Sequence, residues 1–192
     1  MKALMTTRLA LHPLSAAEAA DIEASGRENP PAAHWAPGYP DAGDRRAAGR
    51  FLRTCASVGD PGPFGAFEIR RRADGLAIGG ADFHGAPDSE GRLTVGYGLI
   101  ASARGFGYAA EALGSLLAFA RSQGVLSVKG DADLDNVASH RVMTSAGMRL
   151  VAVDDRLMHF RVDWRDTPAP GPGPSHPVRA RPSAARPEPR GA

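Results

Sequence analysis

The sequence predicts an α/β (α+β) fold, a mixed sheet of about seven strands with helices on both faces. Three observations predict it. Strand-like runs alternate with runs of helical period in the order β–α–α–β–β–β–α–β–α–β–β. A loop with two glycines, Arg104-Gly105-Phe106-Gly107-Tyr108-Ala109, joins a strand-like run to a helix-like run. A break in composition near Asp166 separates one domain, residues 1–165, from a Pro- and Arg-rich tail, residues 166–192.

The elements follow from their residues in order. Thr7-Arg-Leu-Ala-Leu-His12 alternates and reads as the first strand, ended by Pro13. Ser15, with Glu18 three residues on, has the form of a capping box for a helix over 16–25. Pro30, Pro31, Pro37 and Pro40 make residues 26–40 an irregular loop that carries His34, Trp35 and Tyr39. Asp41 or Asp44 caps a second helix running to about Ser57, with Ala47, Phe51, Leu52 and Cys55 on one face. Phe64–Arg71 and Leu76–His84 form a hairpin around Ala73-Asp74-Gly75. Arg92–Ile100 is the next strand, and it leads into the glycine loop and a helix stopped by Gly124. Val125–Ala132 is a strand, and Asp135 or Asn136 caps a short helix stopped by Gly147. Arg149–Val153 and Arg156–Val162 close the domain as a hairpin.

Composition excludes several classes of function. No stretch approaches the roughly 20 apolar residues of a membrane span. Arg8 comes too early for a secretory apolar region. Cys55 is the single cysteine, so an internal disulfide and a cysteine-based zinc site are both ruled out, and no metal is expected. A cytoplasmic protein, monomer or homodimer, is the expectation. The formal charge is +2, but residues 165–192 carry five arginines against Asp166 and Glu188, leaving the rest at −1. A near-neutral domain lacks the basic face of a nucleic-acid binder, so nucleic acid is not an expected partner. The tail holds eight of sixteen prolines and few apolar residues, a composition expected to be disordered.

A glycine loop that opens a helix leaves backbone N–H groups unpaired, and the helix dipole adds positive charge there. Such a place suits phosphate. The plainer reading is an ordinary strand-to-helix turn. The loop lacks the Gly-Lys-Ser/Thr of a P-loop, and it has Ala110 where a dinucleotide fingerprint needs its third glycine.

The run Val95-Gly-Tyr-Gly-Leu-Ile-Ala-Ser-Ala-Arg-Gly-Phe-Gly-Tyr-Ala-Ala-Glu-Ala-Leu113 resembles the acetyl-CoA motif of GNAT-type N-acetyltransferases, Arg/Gln-x-x-Gly-x-Gly/Ala, at Arg104, Gly107 and Ala109. Downstream, Asp135-Asn-Val-Ala-Ser-His-Arg-Val-Met-Thr-Ser-Ala-Gly-Met148 resembles the Asn-x-x-Ser helix of the same family. Thr7-Arg-Leu-Ala-Leu-His-Pro-Leu14, and Trp35 with its prolines, resemble the branch that acetylates ribosomal-protein N-termini. The resemblance covers residues 7–163. It implies a mostly antiparallel sheet splayed between strands four and five, with acetyl-CoA as cofactor and an amine as acceptor. It places the pyrophosphate on the N–H groups of Gly105, Phe106, Gly107, Tyr108 and Ala109. The pantetheine arm then lies along Leu99, Ile100 and Ala101, touched by Asn136 and Ser139, and Gly96 and Gly98 would ease a bulge.

Each candidate has a plainer alternative. Asn136 could be a helix cap only, Ser139 could face solvent, and Arg104 could be a surface charge. His34, Trp35 and Tyr39 are candidates for the acceptor mouth, though Trp35 could simply pack the helix pair. Asp82 and His84 lie on one strand face and could serve as a base or as a solvated edge. Many members of the family carry a tyrosine acid where this chain has Met143, and a carboxylate where it has Thr94. That leaves Ser139 as the candidate acid, Leu99 N–H as the donor to the thioester carbonyl, and the base unassigned. A site without an obvious base suits an α-amine. With a pKa of ~8 it is about a tenth neutral at pH 7, whereas lysine at ~10.4 is under about a thousandth neutral. The expected activity is acetyl transfer to a protein N-terminus or a small-molecule amine. A non-catalytic acyl-CoA-binding module is the alternative.

Overall fold

The computed structural model describes residues 1–25 and 32–164. The prolines at 30 and 31 and the expected disorder of the tail lie outside the described residues. Among those residues the strands are β1 (Leu4–Met5), β2 (Leu9–Pro13), β3 (Ala66–Arg71), β4 (Ala77–Phe83), β5 (Arg92–Leu99), β6 (Ser127–Asp133), β7 (Arg149–Val153) and β8 (Leu157–Asp163). The helices are α1 (Ala16–Ala24), α2 (Ala42–Val58), α3 (Tyr108–Ser122) and α4 (Val137–Ser145). No described helix is long and apolar enough to cross a membrane.

The strands form one sheet in the order β1-β2-β3-β4-β5-β6-β8-β7. Every pair is antiparallel except β5 and β6. A parallel pair needs a crossover, and α3 supplies it. The eighth strand is β1, which the sequence reading missed. Two residues cannot display an alternating pattern, and Leu4–Met5 is a strand only because the chain turns back to pair it with Ala10 and Leu11. That turn is closed by Thr6, whose N–H donates to the Leu9 carbonyl and whose hydroxyl oxygen accepts the Leu9 N–H.

The helix ends match their sequence signals. Ser15 caps α1, with Glu18 closing the box, and Asp41 caps α2, with Asp44 in the same role. Gly124 and Gly147 follow the ends of α3 and α4 with φ of 81° and 91°, a backbone region that favours glycine. The α3 side of the sheet holds an aromatic cluster of Phe67, Phe83 and Phe119. The α2 side is polar at its base. Glu68 (1% exposed), Asp44 and Asp82 (4%) are all buried beneath the helix pair. β4 is therefore buried along nearly all its length and does not alternate, because both faces are covered.

The expected bulge at Gly96 and Gly98 is absent. The β4–β5 ladder keeps one register from Gly79↔Leu99 to Phe83↔Val95. The bulges fall instead at Ile69/Arg70 and Leu150/Ala152. Gly96 serves a different need: a Cβ there would come within 2.8 Å of Asp82 and 3.1 Å of His84.

Burial pushes the Asp44 carboxyl up to about 7, and the charges of Asp41 and Glu68 add to the effect. The folded protein therefore keeps this proton to a higher pH than the unfolded chain, whose value is near 3.8. Stability is expected to fall as pH rises through that window and to level off above about 7, a loss of the order of 4 kcal/mol. Urea unfolding at several pH values checks this. Asp44→Asn should flatten the slope, and identical slopes for the two proteins would contradict it.

Candidate functional site

The glycine loop begins where β5 ends. A short 3₁₀ turn, Ala101–Ala103, precedes it, and Arg104 folds back so that its Nε donates to the Leu99 carbonyl at 2.9 Å. Gly105 and Gly107 have φ of 84° and 78°, so the two glycines the sequence singles out are required by the backbone. Gly107 also occupies the N-cap of α3 and offers no side-chain oxygen to the first turn. The first residue of this stretch whose N–H finds a backbone acceptor is Glu111, which donates to Gly107. Among the described residues the six N–H groups of Gly105 through Ala110 have no acceptor. They follow one another around the start of α3, with the helix dipole behind them.

A clasp from the far end of the chain holds this loop. Arg8 donates through Nη1 to the Phe106 carbonyl at 2.8 Å and through Nε to Glu111 at 2.6 Å. Thr6 Oγ1 and the Arg8 N–H also donate to Glu111. Burial works against the charge of Glu111, but these donors outweigh it and hold its carboxyl below the ordinary value. The Arg8 guanidinium lies 4.7 Å from the centre of the Tyr108 ring, and Tyr108 stacks on Phe106.

A cleft of about 540 Å³ opens beside the loop. Leu99, Arg104, Gly105, Gly107, Tyr108 and Ala109 line one side, and Asn136 and Ser139 line the other. The structure thus brings the two sequence motifs onto one cavity, and its size suits a substantial small molecule. Phe106 is 60% exposed at the tip of the loop and does not line the cleft. Ile100 and Ala101 are also outside it. Ile100 is buried and its N–H donates to Ile78 at 3.0 Å, so this residue turns toward β4 and away from the cavity.

The strand pairing explains the opening. β5 pairs with β6 at Arg92, Leu93 and Thr94, against Ser127, Val128 and Lys129. Beyond Thr94 the ladder stops, while both strands run on. On its other edge β5 bonds β4 at alternate residues, as the bonds His84 N–H to Thr94 and Ile100 N–H to Ile78 fix. The N–H groups of Tyr97 and Leu99 consequently turn away from β4, toward the side β6 has left.

Asn136 does cap α4: its Oδ1 accepts the Ser139 N–H at 3.1 Å. Met143 is 1% exposed in the core, with its sulfur against Gly130, so it is remote in character from any proton transfer. Three residues were missed by the sequence reading. Tyr97 lines the cleft and donates its phenol O–H to the Ser139 carbonyl at 3.2 Å. Burial pushes its phenol up, so it stays protonated. Arg141 adds a second cationic side chain to the cavity wall. Arg8, 98 residues before Phe106, carries no local signal at all.

The remaining candidates divide into two groups on the α2 side of the sheet. His34, Trp35 and Tyr39 gather around the buried Glu68. The Trp35 Nε1–H donates to it at 3.0 Å, His34 Nε2 lies 3.4 Å away, and Arg70 completes the set. Trp35 also bridges to Ala77 of β4. Tyr39 is only 5% exposed and packs inside this cluster, while His34 and Trp35 also line a hollow of about 290 Å³ with Glu18 and Asp21 of α1. Asp82 and His84 sit elsewhere, on the same face of β4 and one strand from Thr94. His84 Nε2 is 3.7 Å from the Asp82 carboxylate, and Arg50 Nη2 binds that carboxylate at 3.1 Å. Gly96 and Gly98 leave β5 bare beside them.

Known proteins share this fold. The fold matches ribosomal-protein-S5-alanine acetyltransferase from Vibrio fischeri with a TM-score of 0.63 at 13% identity, covering 86% of this chain and 98% of that one. It matches RimJ of Mycobacterium smegmatis, solved with a CoA disulfide, with a TM-score of 0.58 at 16% identity, covering 88% and 92%. It matches an acetyltransferase from Agrobacterium tumefaciens with a TM-score of 0.58 at 24% identity, covering 84% and 94%. No curated protein matches the chain by sequence. The model of the acetyltransferase (GNAT) domain matches residues 8–149, and with the donor-lined cleft in the expected place this chain belongs to the GNAT family of acetyltransferases, which use acetyl-CoA.

Proposed function

We propose that this protein transfers an acetyl group from acetyl-CoA to a primary amine by direct attack in a ternary complex. The acceptor is a protein N-terminal α-amine or a small-molecule amine. The observation that carries this reading is the run of N–H groups without acceptors from Gly105 through Ala110, of which Gly105, Gly107, Tyr108 and Ala109 line the same cleft as Asn136 and Ser139. It fits a pyrophosphate at one end and leaves room for a thiol arm along β5. The Vibrio fischeri relative is named for the alanine of a ribosomal protein, which favours an N-terminal α-amine here too.

When bound, acetyl-CoA supplies an activated thioester. The chain's own groups then divide the remaining work. Arg104 and Arg141 add positive charge to the phosphate end. Leu99 N–H, unpaired on the cleft side of β5, is placed to receive charge on a carbonyl oxygen. Asp82 and His84 lie on the opposite face of the sheet, beside the bare backbone of Gly96 and Gly98. His84 Nε2 accepts the proton of the incoming amine, and the Asp82 carboxylate steadies the resulting charge. A carboxylate on β4 thereby takes the place of the one missing at Thr94. On the cleft side Tyr97 Oη and Ser139 hold protons for the departing sulfur. A phenol is a far stronger acid than an aliphatic hydroxyl, so Tyr97 is the better donor, and Ser139 positions it through its carbonyl.

The absence of an acid at Met143 and of a carboxylate at Thr94 also suits a module that binds acyl-CoA without turnover. Free-thiol release across a panel of amines separates the two readings. Release with some amine is expected, and binding of CoA without any release would establish the second. Tyr97→Phe should lower kcat about a hundredfold with little change in the KM for acetyl-CoA, and should remove the basic limb of the pH profile. Ser139→Ala removes the hydroxyl but keeps the carbonyl that holds Tyr97, so it should lower turnover less than Tyr97→Phe does and leave cofactor affinity nearly unchanged, and an unchanged rate would take the Ser139 hydroxyl out of the mechanism. Gly107→Ala forces a side chain into a left-handed backbone and should weaken CoA binding about fivefold by calorimetry, from a strain of roughly 1 kcal/mol.

A further inference from the structure

The solvent side of α2 carries Arg45, Arg46, Arg50 and Arg53. Arg46, Arg50 and Arg53 recur at helical spacing and so form one stripe, about 10 Å long at 1.5 Å per residue. Two hollows flank the stripe. One, of about 750 Å³, reaches toward the end of α1 and includes Glu23. The other, of about 410 Å³, has Asp82 and His84 among its walls. Arg50 and Arg53 line both, so the hollows are one trough that ends at the Asp82–His84 pair.

The charges in this trough are unevenly balanced. Arg45 is tied to the Pro40 carbonyl at 2.7 Å, and Arg50 to Asp82. Arg46 and Arg53 have no carboxylate partner among the described residues. Arg50 uses only one terminal nitrogen on Asp82, and its Nε is buried without an acceptor. Four arginines against the single carboxylate of Glu23 leave the larger hollow cationic, and the smaller one ends at the buried Asp82.

We propose that this trough docks the acceptor, and that the acceptor is a polypeptide whose N-terminal amine is followed by acidic residues. Such a chain carries the complementary order of charges. Its ammonium is drawn to Asp82, and Asp or Glu side chains at the next few positions meet Arg50, Arg53 and Arg46. Three extended residues span the stripe. A cationic or neutral segment has no such match, and a strongly anionic ligand without an amine is repelled at the Asp82 end. The proposal rests on the acyl-transfer reading for the direction in which the amine points, and on the trough alone for the charge of the occupant.

The test is fluorescence anisotropy of labelled hexapeptides on the full chain, with CoA present. An N-terminal Ala or Ser is followed by acidic, neutral or basic residues, with the label at the C-terminus. The acidic peptide should bind at least tenfold tighter than the basic one, and its affinity should drop as salt is raised. The double variant Arg46→Glu, Arg53→Glu should lose at least tenfold for the acidic peptide while its CoA affinity and thermal melting stay unchanged. N-terminal acetylation of the peptide should weaken binding by removing the charge that Asp82 receives. Equal affinity for acidic and basic peptides overturns the proposal, as does tighter binding of a short RNA than of the acidic peptide. CoA titration by calorimetry is read in parallel. Failure of CoA to bind sinks the acyl-transfer reading and leaves the peptide preference as its own result.

Discussion

A single parallel pair in an otherwise antiparallel sheet sets the architecture of this site. β5 and β6 run the same way, so the chain must cross back between them, and α3 is that crossing. The first turn of α3 therefore lies at the end of β5, where its unpaired N–H groups collect. Because β5 and β6 pair at only three positions, the same end of β5 also exposes backbone that no neighbour uses. Unpaired backbone donors and a free strand edge meet in one place for one topological reason. Asn136 and Ser139 are delivered there by α4, which begins soon after β6 ends.

The two faces of the sheet are built for different tasks. The α3 face is aromatic and dry, with Phe67, Phe83 and Phe119 in mutual contact. The α2 face buries three carboxylates. Glu68 is fully engaged by Trp35, Arg70 and His34, and Asp44 closes the cap of α2. Asp82 alone among them faces an open hollow. Burying charge is expensive unless it is paired: Glu68 and Asp82 each have an arginine, and Asp44 keeps its proton to about pH 7.

Much of this was legible in the chain. Ser15 with Glu18, Asp41 with Asp44, and the stop glycines 124 and 147 announced their helices through local chemistry that needs no tertiary context. The glycine loop could be read because positive φ at residues 105 and 107 leaves few other residues possible. The failures have one cause, which is dependence on distant neighbours. β1 exists only by pairing across a turn. The fate of Tyr39 was decided by Glu68, and that of Gly96 by the side chains of Asp82 and His84 on the next strand. Tyr97 looked like an ordinary strand aromatic until α4 placed a carbonyl opposite its hydroxyl.

The clasp of Thr6 and Arg8 on Glu111 and Phe106 ties the opening segment of the chain to the middle of it. The glycine loop is therefore held in part by the chain's opening segment, and fraying of that edge loosens it. Occupancy of the loop and protection of the first strands from amide exchange become two readings of one equilibrium. A chain still emerging from synthesis has its opening strands before the loop they hold, and the clasp closes only once Phe106 and Glu111 have been made.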